Sequence, residues 1–292
     1  MQIKYKIFSS VAGVYEIVSL ENIDQKLKVP AAGKFRNLDI KPIVGDEVYY
    51  KDGMICEVLP RKNFFIRPKI SNVDQMIIFV SVKKPNFQSY LVDKYLAIIE
   101  NKLVKPIICI TKTDLDLKQA QEWKLYYQNL GYIVFLLTNN DYESYNQLIP
   151  FLGNKYSVFM GQSGVGKTTS INILTNSNYK TQEISKALGR GKHTTREVSI
   201  FPLQNGFLID TPGFSSLDLD MNDIELAKSY KIFKENSKFC KYRSCLHKNE
   251  NESDCFIKQM WKNGKINDTF YKNYLKLQNE LSEKEKKIWK NM

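Results

Sequence analysis

Residues 161–168 read Gly-Gln-Ser-Gly-Val-Gly-Lys-Thr, the spacing G-x-x-x-x-G-K-T. An apolar run, "YSVFM", precedes it and a helix-like stretch, "TSINIL", follows, which is the strand–loop–helix setting a phosphate-binding loop needs. Gly161, Gly164 and Gly166 let the backbone turn tightly, so that the N–H groups of the loop converge on phosphate oxygens. The helix expected beyond adds the positive end of its dipole. Gly161, Gln162, Ser163, Gly164, Val165, Gly166, Lys167, Thr168 and Thr169 form the candidate phosphate site. Within it Lys167 reaches the β- and γ-phosphates and the Thr168 hydroxyl ligates Mg²⁺. A ligand-free glycine turn would leave Lys167 and Thr168 unexplained.

Two downstream stretches fit the same chemistry. "LIDTPGF" puts Asp210 at the end of a buried strand, where it can hold Mg²⁺ through water, and lets Gly213 offer its N–H to a γ-phosphate. Between the loops lies "ALGRGKHTTREVSI", in which Thr194 or Thr195 is placed to complete the Mg²⁺ shell while a γ-phosphate is present.

The base is a separate question. "TKTD", residues 111–114, ends the apolar run "KPIICI". Guanine offers N1–H and a 2-amino group that one carboxylate, Asp114, can accept together, an arrangement adenine lacks. Lys112 would lay its stem along the ring, and Thr113 lies between the two. Most GTPases carry Asn where this chain has Thr111, so the support given there rests on one hydroxyl. The tetrapeptide could also be a chance match that initiates a helix. It precedes the phosphate loop, the reverse of the familiar GTPase order, yet both follow strands whose carboxyl ends border a ligand crevice in open parallel sheets. A domain cut and rejoined elsewhere reconciles the two. "LLTNND" around Thr138 is the expected second base loop. A P-loop ATPase or kinase is disfavoured by Asp114.

A third constellation is Cys240-x₄-Cys245-x-His247-x₇-Cys255, three thiols and an imidazole. Four such ligands make a tetrahedral Zn²⁺ set with no open position, hence a structural site. The spacing is not a standard finger, so ordinary buried thiols are the competing reading. Cys245 and His247 would diverge on a helix, which implies a loop. Cys56 and Cys109 sit in apolar strands and read as inert core.

These residues need elements to position them. The chain has 292 residues, enough for two or three domains, and 43% of them are hydrophobic. Residues 1–68 read as short strands, with Asp52-Gly53 marking a hairpin; a small five-stranded barrel fits. Lys34, Arg36, Arg61, Lys62 and Arg67 lie near its loops, which suits RNA binding or a plain spacer. Residues 69–216 alternate apolar strands ("VDQMIIFVSV", "KPIICIT", "YIVFLLT", "YSVFMG", "VSIFPL", "GFLID") with helix-like stretches, predicting a mostly parallel sheet covered on both faces. Residues 217–292 are charged and helical in pattern.

Lys and Arg outnumber Asp and Glu by 43 to 31, a net charge of +12 that suits a polyanion such as RNA or a solvated Lys-rich surface. No apolar run is long enough to cross a membrane. The start resembles a signal peptide, but Glu16 interrupts it, and the expectation is mature folded sequence. Five cysteines, three of them clustered near a histidine, suit a reducing compartment and therefore the cytoplasm.

With these motifs in this order, the sequence resembles the RsgA (YjeQ/YloQ) family of circularly permuted GTPases. The resemblance spans nearly the whole chain, adding "KPIVGDEV", "VLPRKNFFIRP" and "NVDQ" to "TKTD", "GQSGVGKT", "LGRGKHTT", "DTPGF" and "CKYRSCLHKNENESDC". It implies an N-terminal OB-fold barrel (1–68), a central circularly permuted α/β P-loop GTPase domain (69–216) and a mostly helical zinc-binding domain (217–292). It implies GTP hydrolysis stimulated by the small ribosomal subunit and its rRNA, a part in late maturation of that subunit, one structural Zn²⁺, and Mg²⁺ with GTP. A monomer is expected. The sequence departs from the pattern at Thr168, Thr111 and the long spacer before Cys255. Many small GTPases orient the attacking water with Gln after D-x-x-G; here that position is Phe214, so intrinsic turnover should be slow. His193 is the catalytic candidate, against a plain solvated or RNA-facing role. The competing functional readings are a large-subunit permuted GTPase and an RNA-binding scaffold with a vestigial G domain.

Overall fold

The structure is a computed structural model and describes residues 3–38, 40–66, 68–138, 141–175, 199–203, 205–210 and 219–290. At the N-terminus, β1 (Lys4–Val11), β2 (Val14–Ser19), β3 (Lys26–Pro30), β4 (Glu47–Lys51) and β5 (Met54–Val58) pair in the order β3-β2-β1-β4-β5. A bridge between Ala31 and Ile55, with Ala32 N–H donating 2.9 Å to the Ile55 carbonyl, closes the sheet into a barrel. One-turn helix α1 (Lys34–Asn37) lies between β3 and β4. Period-two alternation sends Ile7, Ile17, Val48 and Ile55 inward to a core shared with Tyr5 and Phe35. This is the expected OB-type barrel. Asp52 (φ +50°) and Gly53 (φ +81°) make the expected two-residue turn. Ala12 (φ +49°) and Gly13 (φ +83°) make a matching turn after β1, in the stretch that looked like a signal peptide.

The family-like stretches after β3 hold the barrel to its neighbouring segment. A Cβ on Gly45 would lie 2.1 Å from the Ser71 carbonyl oxygen, so only glycine fits. Fully buried Asp46 accepts from Arg61 Nε at 2.7 Å, Ser71 Oγ at 2.6 Å and Ile43 N–H at 2.9 Å, which satisfies a carboxylate that burial alone would penalise. Two-residue strands β6 (Phe64–Phe65) and β7 (Ile70–Ser71) pair beside them.

Six strands form the second sheet: β8 (Gln75–Ser81), β9 (Lys105–Thr111), β10 (Ile133–Leu137), β11 (Tyr156–Met160), β12 (Ser199–Leu203) and β13 (Gly206–Asp210). Their order is β10-β9-β8-β11-β13-β12. β9 and β10 run parallel, as do β11 and β13; edge strand β12 is antiparallel to β13. All six match the apolar runs read from sequence. The helices α2 (Ser89–Asn101), α3 (Leu117–Asn129), α4 (Tyr142–Asn146), α5 (Ile149–Leu152) and α6 (Lys167–Thr175) separate them. The C-terminal part holds α7 (Asp223–Ala227), α8 (Lys231–Asn236), α9 (Phe256–Lys262) and α10 (Asp268–Lys290).

The chain forms two compact units, Met1–Met76 with Tyr145–Met160 and Lys167–Ser216, and Ile77–Ser144 with Gly161–Gly166 and Leu217–Met292. Within the second, α2 meets the C-terminal helices through a buried polar cluster. Asp93, fully buried, accepts from Tyr127 Oη at 3.0 Å and Asn273 Nδ2 at 2.6 Å, while Tyr230 Oη donates 3.0 Å to its backbone carbonyl. Glu100 accepts from Tyr132 Oη at 2.8 Å and from Lys231 N–H at 3.1 Å.

Candidate nucleotide site and metal centre

β9 ends on Thr111, which is buried. Its hydroxyl donates 2.5 Å to the Val165 carbonyl, 54 residues away in the glycine loop. A Cβ on Gly166 would sit 3.8 Å from the Thr111 side chain, so base loop and phosphate loop touch at their roots. One hydroxyl therefore does the joining that the sequence left to a weakened residue. Lys112 takes the left-handed conformation (φ +56°), and its ammonium donates to the Lys84 carbonyl. Buried Thr113 meets the Thr138 hydroxyl at 2.6 Å, which fastens the loop after β10 to the tetrapeptide.

Asp114 lies in a single 3₁₀ turn, Thr113–Leu115, and is exposed. Among the described residues its carboxylate has no hydrogen-bond or ion-pair partner. Helix initiation falls instead to Asp116, which accepts from Gln119 N–H at 3.0 Å as the N-cap of α3 and pairs with Lys83 at 2.8 Å. The helix-start reading of "TKTD" thus belongs to a residue two positions on. Lys83 and Lys84 were missed in the sequence because they contact the base loop from the far end of β8, which no local pattern marks.

The glycine loop follows β11. Gly161 (φ +141°), Gly164 (φ +78°) and Gly166 (φ +99°) all occupy backbone regions open to glycine, and a Cβ on Gly161 would come 2.2 Å from the Phe79 carbonyl oxygen. Ser163 and Gly164 are exposed, Val165 is buried and Gln162 is half-buried. Lys167 opens α6, with Thr168 and Thr169 half-buried in its first turn. Burial holds the Lys167 pKa below its ordinary value, opposed by the negative charge of Asp210 at the end of β13. An ammonium disfavoured by burial gains from an incoming polyanion. The hydroxyl of Thr168 and the carboxylate of Asp210 are hard oxygen donors, the type Mg²⁺ takes. His193, Thr194, Thr195, Gly213 and Phe214 lie outside the described residues.

The four metal-ligand candidates do converge. The thiol sulfurs of Cys240, Cys245 and Cys255 and a ring nitrogen of His247 all lie within 4.8 Å of one another. His247 Nδ1 is 3.7 Å from Cys240 Sγ and 3.4 Å from Cys255 Sγ. Zinc bonds of ordinary length at tetrahedral angles would separate such atoms by about 3.6 Å. The donor set fits a structural zinc, and the long spacer before Cys255 does not remove it. Burial pushes the His247 imidazole down to about 4, the neutral form that ligates metal. It pushes the Cys245 and Cys255 thiols up, which a divalent cation would reverse.

Neighbours fix the centre. His247 sits at φ +54°; the Glu250 carboxylate accepts from Leu246 N–H at 2.6 Å and Lys248 N–H at 2.8 Å, and Tyr271 Oη donates 2.6 Å to the His247 carbonyl. These supports come from α10 and from the long spacer between His247 and Cys255. Cys109 is buried core as expected, whereas Cys56 is only half-buried, its thiol facing the Tyr49 carbonyl at 3.3 Å, because β5 has one solvent-facing side.

Comparison with known proteins agrees with this geometry. A family model described as RsgA GTPase matches residues 58–220, and one described as 50S ribosome-binding GTPase matches residues 157–286. The small ribosomal subunit biogenesis GTPase RsgA of Mycoplasmopsis agalactiae is 46% identical over 285 residues, covering 97% of this chain and 100% of that protein. Its namesake in Bacillus subtilis is 38% identical over 292 residues, covering 96% and 97%. Among solved structures, YloQ, a circularly permuted GTPase, matches with 33% identity and TM-score 0.80 over 97% of this chain and 96% of that one. YjeQ from Thermotoga maritima matches with 30% identity and TM-score 0.83 over 96% and 99%. With a guanine-type tetrapeptide hydrogen-bonded to the phosphate loop that follows it, and likeness running end to end, the chain belongs to the RsgA family of circularly permuted GTPases.

Proposed function

We propose that this GTPase binds the small ribosomal subunit through its rRNA, hydrolyses GTP faster when bound, and assists late maturation of that subunit in the cytoplasm, acting as a monomer. The observation that supports the nucleotide half is the Thr111–Val165 hydrogen bond, which ties the guanine-type tetrapeptide to the glycine loop despite their order. Relatives named for small-subunit biogenesis, alike over nearly the full length, support the other half.

In this reading Asp114 accepts the two guanine donors, Lys112 lies along the base, and the loop at Thr138 closes the other side. The N–H groups of 161–169 and the Lys167 ammonium hold the phosphates. Thr168, Asp210 through water, and Thr194 or Thr195 while the γ-phosphate is present would hold Mg²⁺, which would supply neutralisation of the phosphate charge, and the Gly213 N–H would donate to the γ-phosphate. Cys240, Cys245, His247 and Cys255 hold one structural Zn²⁺. The barrel (1–68) and zinc domain (217–292) flank the GTPase domain (69–216) and carry the RNA contacts. His193 positions the attacking water once the partner is bound, and His193→Ala leaving stimulated turnover intact would remove it from the mechanism.

The match of 157–286 to the 50S ribosome-binding model favours a second reading, action on the large subunit. GTP turnover measured with isolated small and large subunits separates the two: stimulation by small subunits alone supports the proposal, and stimulation by large subunits alone replaces it.

A further inference from the structure

The loop that carries Cys240 and Cys245 exposes more than a metal site requires. Phe239 is 61% exposed and Tyr242 47% exposed, one position before and two positions after the ligand Cys240. Phe239 rests against Phe256 with ring centres 5.2 Å apart, a tilted contact that fixes the ring without enclosing it. Cations interleave with the rings. Lys238 Nζ lies 5.1 Å from the Phe239 ring centre and Lys241 Nζ 5.4 Å from that of Tyr242. Residues 237–249 contain four basic side chains and no acidic one. Asp254 pairs with Lys241 at 3.0 Å, whereas Lys238 and Arg243 have no carboxylate partner among the described residues.

Exposed ring faces alternating with cations are what single-stranded nucleic acid needs, since bases stack on aromatic planes while ammonium and guanidinium groups meet the phosphates. Duplex RNA keeps its base faces closed to such rings. An acidic protein segment would use the charges and leave the ring faces idle. Cys240 and Cys245 bracket Tyr242 and Arg243, and Phe256 backs Phe239, so little ordering is lost on binding.

We propose that Phe239 and Tyr242 are a stacking platform for unpaired RNA bases, with Lys238 and Arg243 on the flanking phosphates. This rests on the RNA-binding role proposed above and adds which face of the zinc domain reads which chemistry.

The test uses full-length, zinc-loaded protein and fluorescence anisotropy with a labelled single-stranded oligoribonucleotide and an abasic strand of equal length. The wild type binds the base-bearing strand roughly tenfold tighter or more. Phe239→Ala with Tyr242→Ala brings the two strands within about twofold, the salt slope staying unchanged. Arg243→Ala keeps the base preference and lowers the slope of log affinity against log salt by about 0.7. If the alanine pair sheds zinc, Phe239→Leu with Tyr242→Leu, which keeps apolar contact but no ring face, gives the same reading. Equal wild-type binding of both strands, as phosphate-only contact or a protein partner would produce, overturns the platform, as does a variant that keeps the full preference. Small-subunit stimulation of GTP turnover, measured alongside, separates the outcomes. Stimulation without base preference removes only the platform, and base preference without stimulation removes only the ribosomal reading.

Discussion

Asp114 is exposed with no partner among the described residues, while Asp116, two positions on, is spent on the α3 cap and on Lys83. That division predicts a selective effect. Asp114→Asn replaces two acceptors with one acceptor and one donor, which suits xanthine (N1–H donor, O2 acceptor) rather than guanine. GTP affinity should fall by roughly tenfold or more and XTP affinity should rise, since a charged hydrogen bond contributes about 1.5–3 kcal/mol. Competition of labelled GDP by GTP and XTP measures it; unchanged preference for GTP would take base reading away from Asp114. The residue types of this site were legible because glycines, a lysine and a carboxylate at fixed offsets have few other uses. What Thr111 does was not, because its partner is a backbone carbonyl 54 residues away.

At the scale of elements, the packing of α2 on the C-terminal helices has a pH signature. Burial raises the Asp93 carboxyl from 3.8 to about 7, the hydrogen bonds from Asn273 and Tyr127 working against it, and burial likewise raises Glu100 from 4.5 to about 7. A carboxyl whose folded pKa is raised binds its proton more tightly in the folded state, so its contribution is fully present below about 4 and is lost as pH rises to about 7. Asp93 alone is worth at most about 4 kcal/mol over that window. Asp93→Asn, whose amide can accept from Asn273 and donate to the Tyr127 oxygen, should flatten the fall in stability between pH 4 and 7, read as urea midpoints across that range. An unaltered slope would assign the pH dependence elsewhere. The strands of both sheets were legible from periodicity and from turn pairs such as Asp52-Gly53. This cluster was not, because Asp93 looks like any polar position of an amphipathic helix until Tyr127, Tyr230 and Asn273 arrive from three other segments.

The metal centre is also an element-sized device, since all four candidate ligands come from one segment, residues 240–255, between α8 and α9. One zinc per chain is expected by elemental analysis, and chelation should lower the unfolding midpoint of the C-terminal part by about 10 °C or more. Metal-free protein with an unshifted midpoint would mean that the four side chains converge without a structural ion.

At the scale of the whole molecule, the order of motifs becomes the informative feature. A guanine loop ahead of a phosphate loop forces the chain to enter the sheet at β8 and leave it at β13, with a barrel before and a zinc-type domain after. A net charge of +12 suits this plan if the partner is a polyanion such as RNA, and a solvated Lys-rich surface is the other reading of the same charge. In the proposed function one site reads guanine, holds the triphosphate and answers to the small ribosomal subunit. Hydrolysis of GTP and of ATP by the full-length protein with Mg²⁺, each with and without purified small subunits, tests it most directly. GTP turnover should be slow alone and greatly accelerated by small subunits, with little ATP turnover in either case. Equal use of ATP, or GTP turnover indifferent to small subunits, would contradict it.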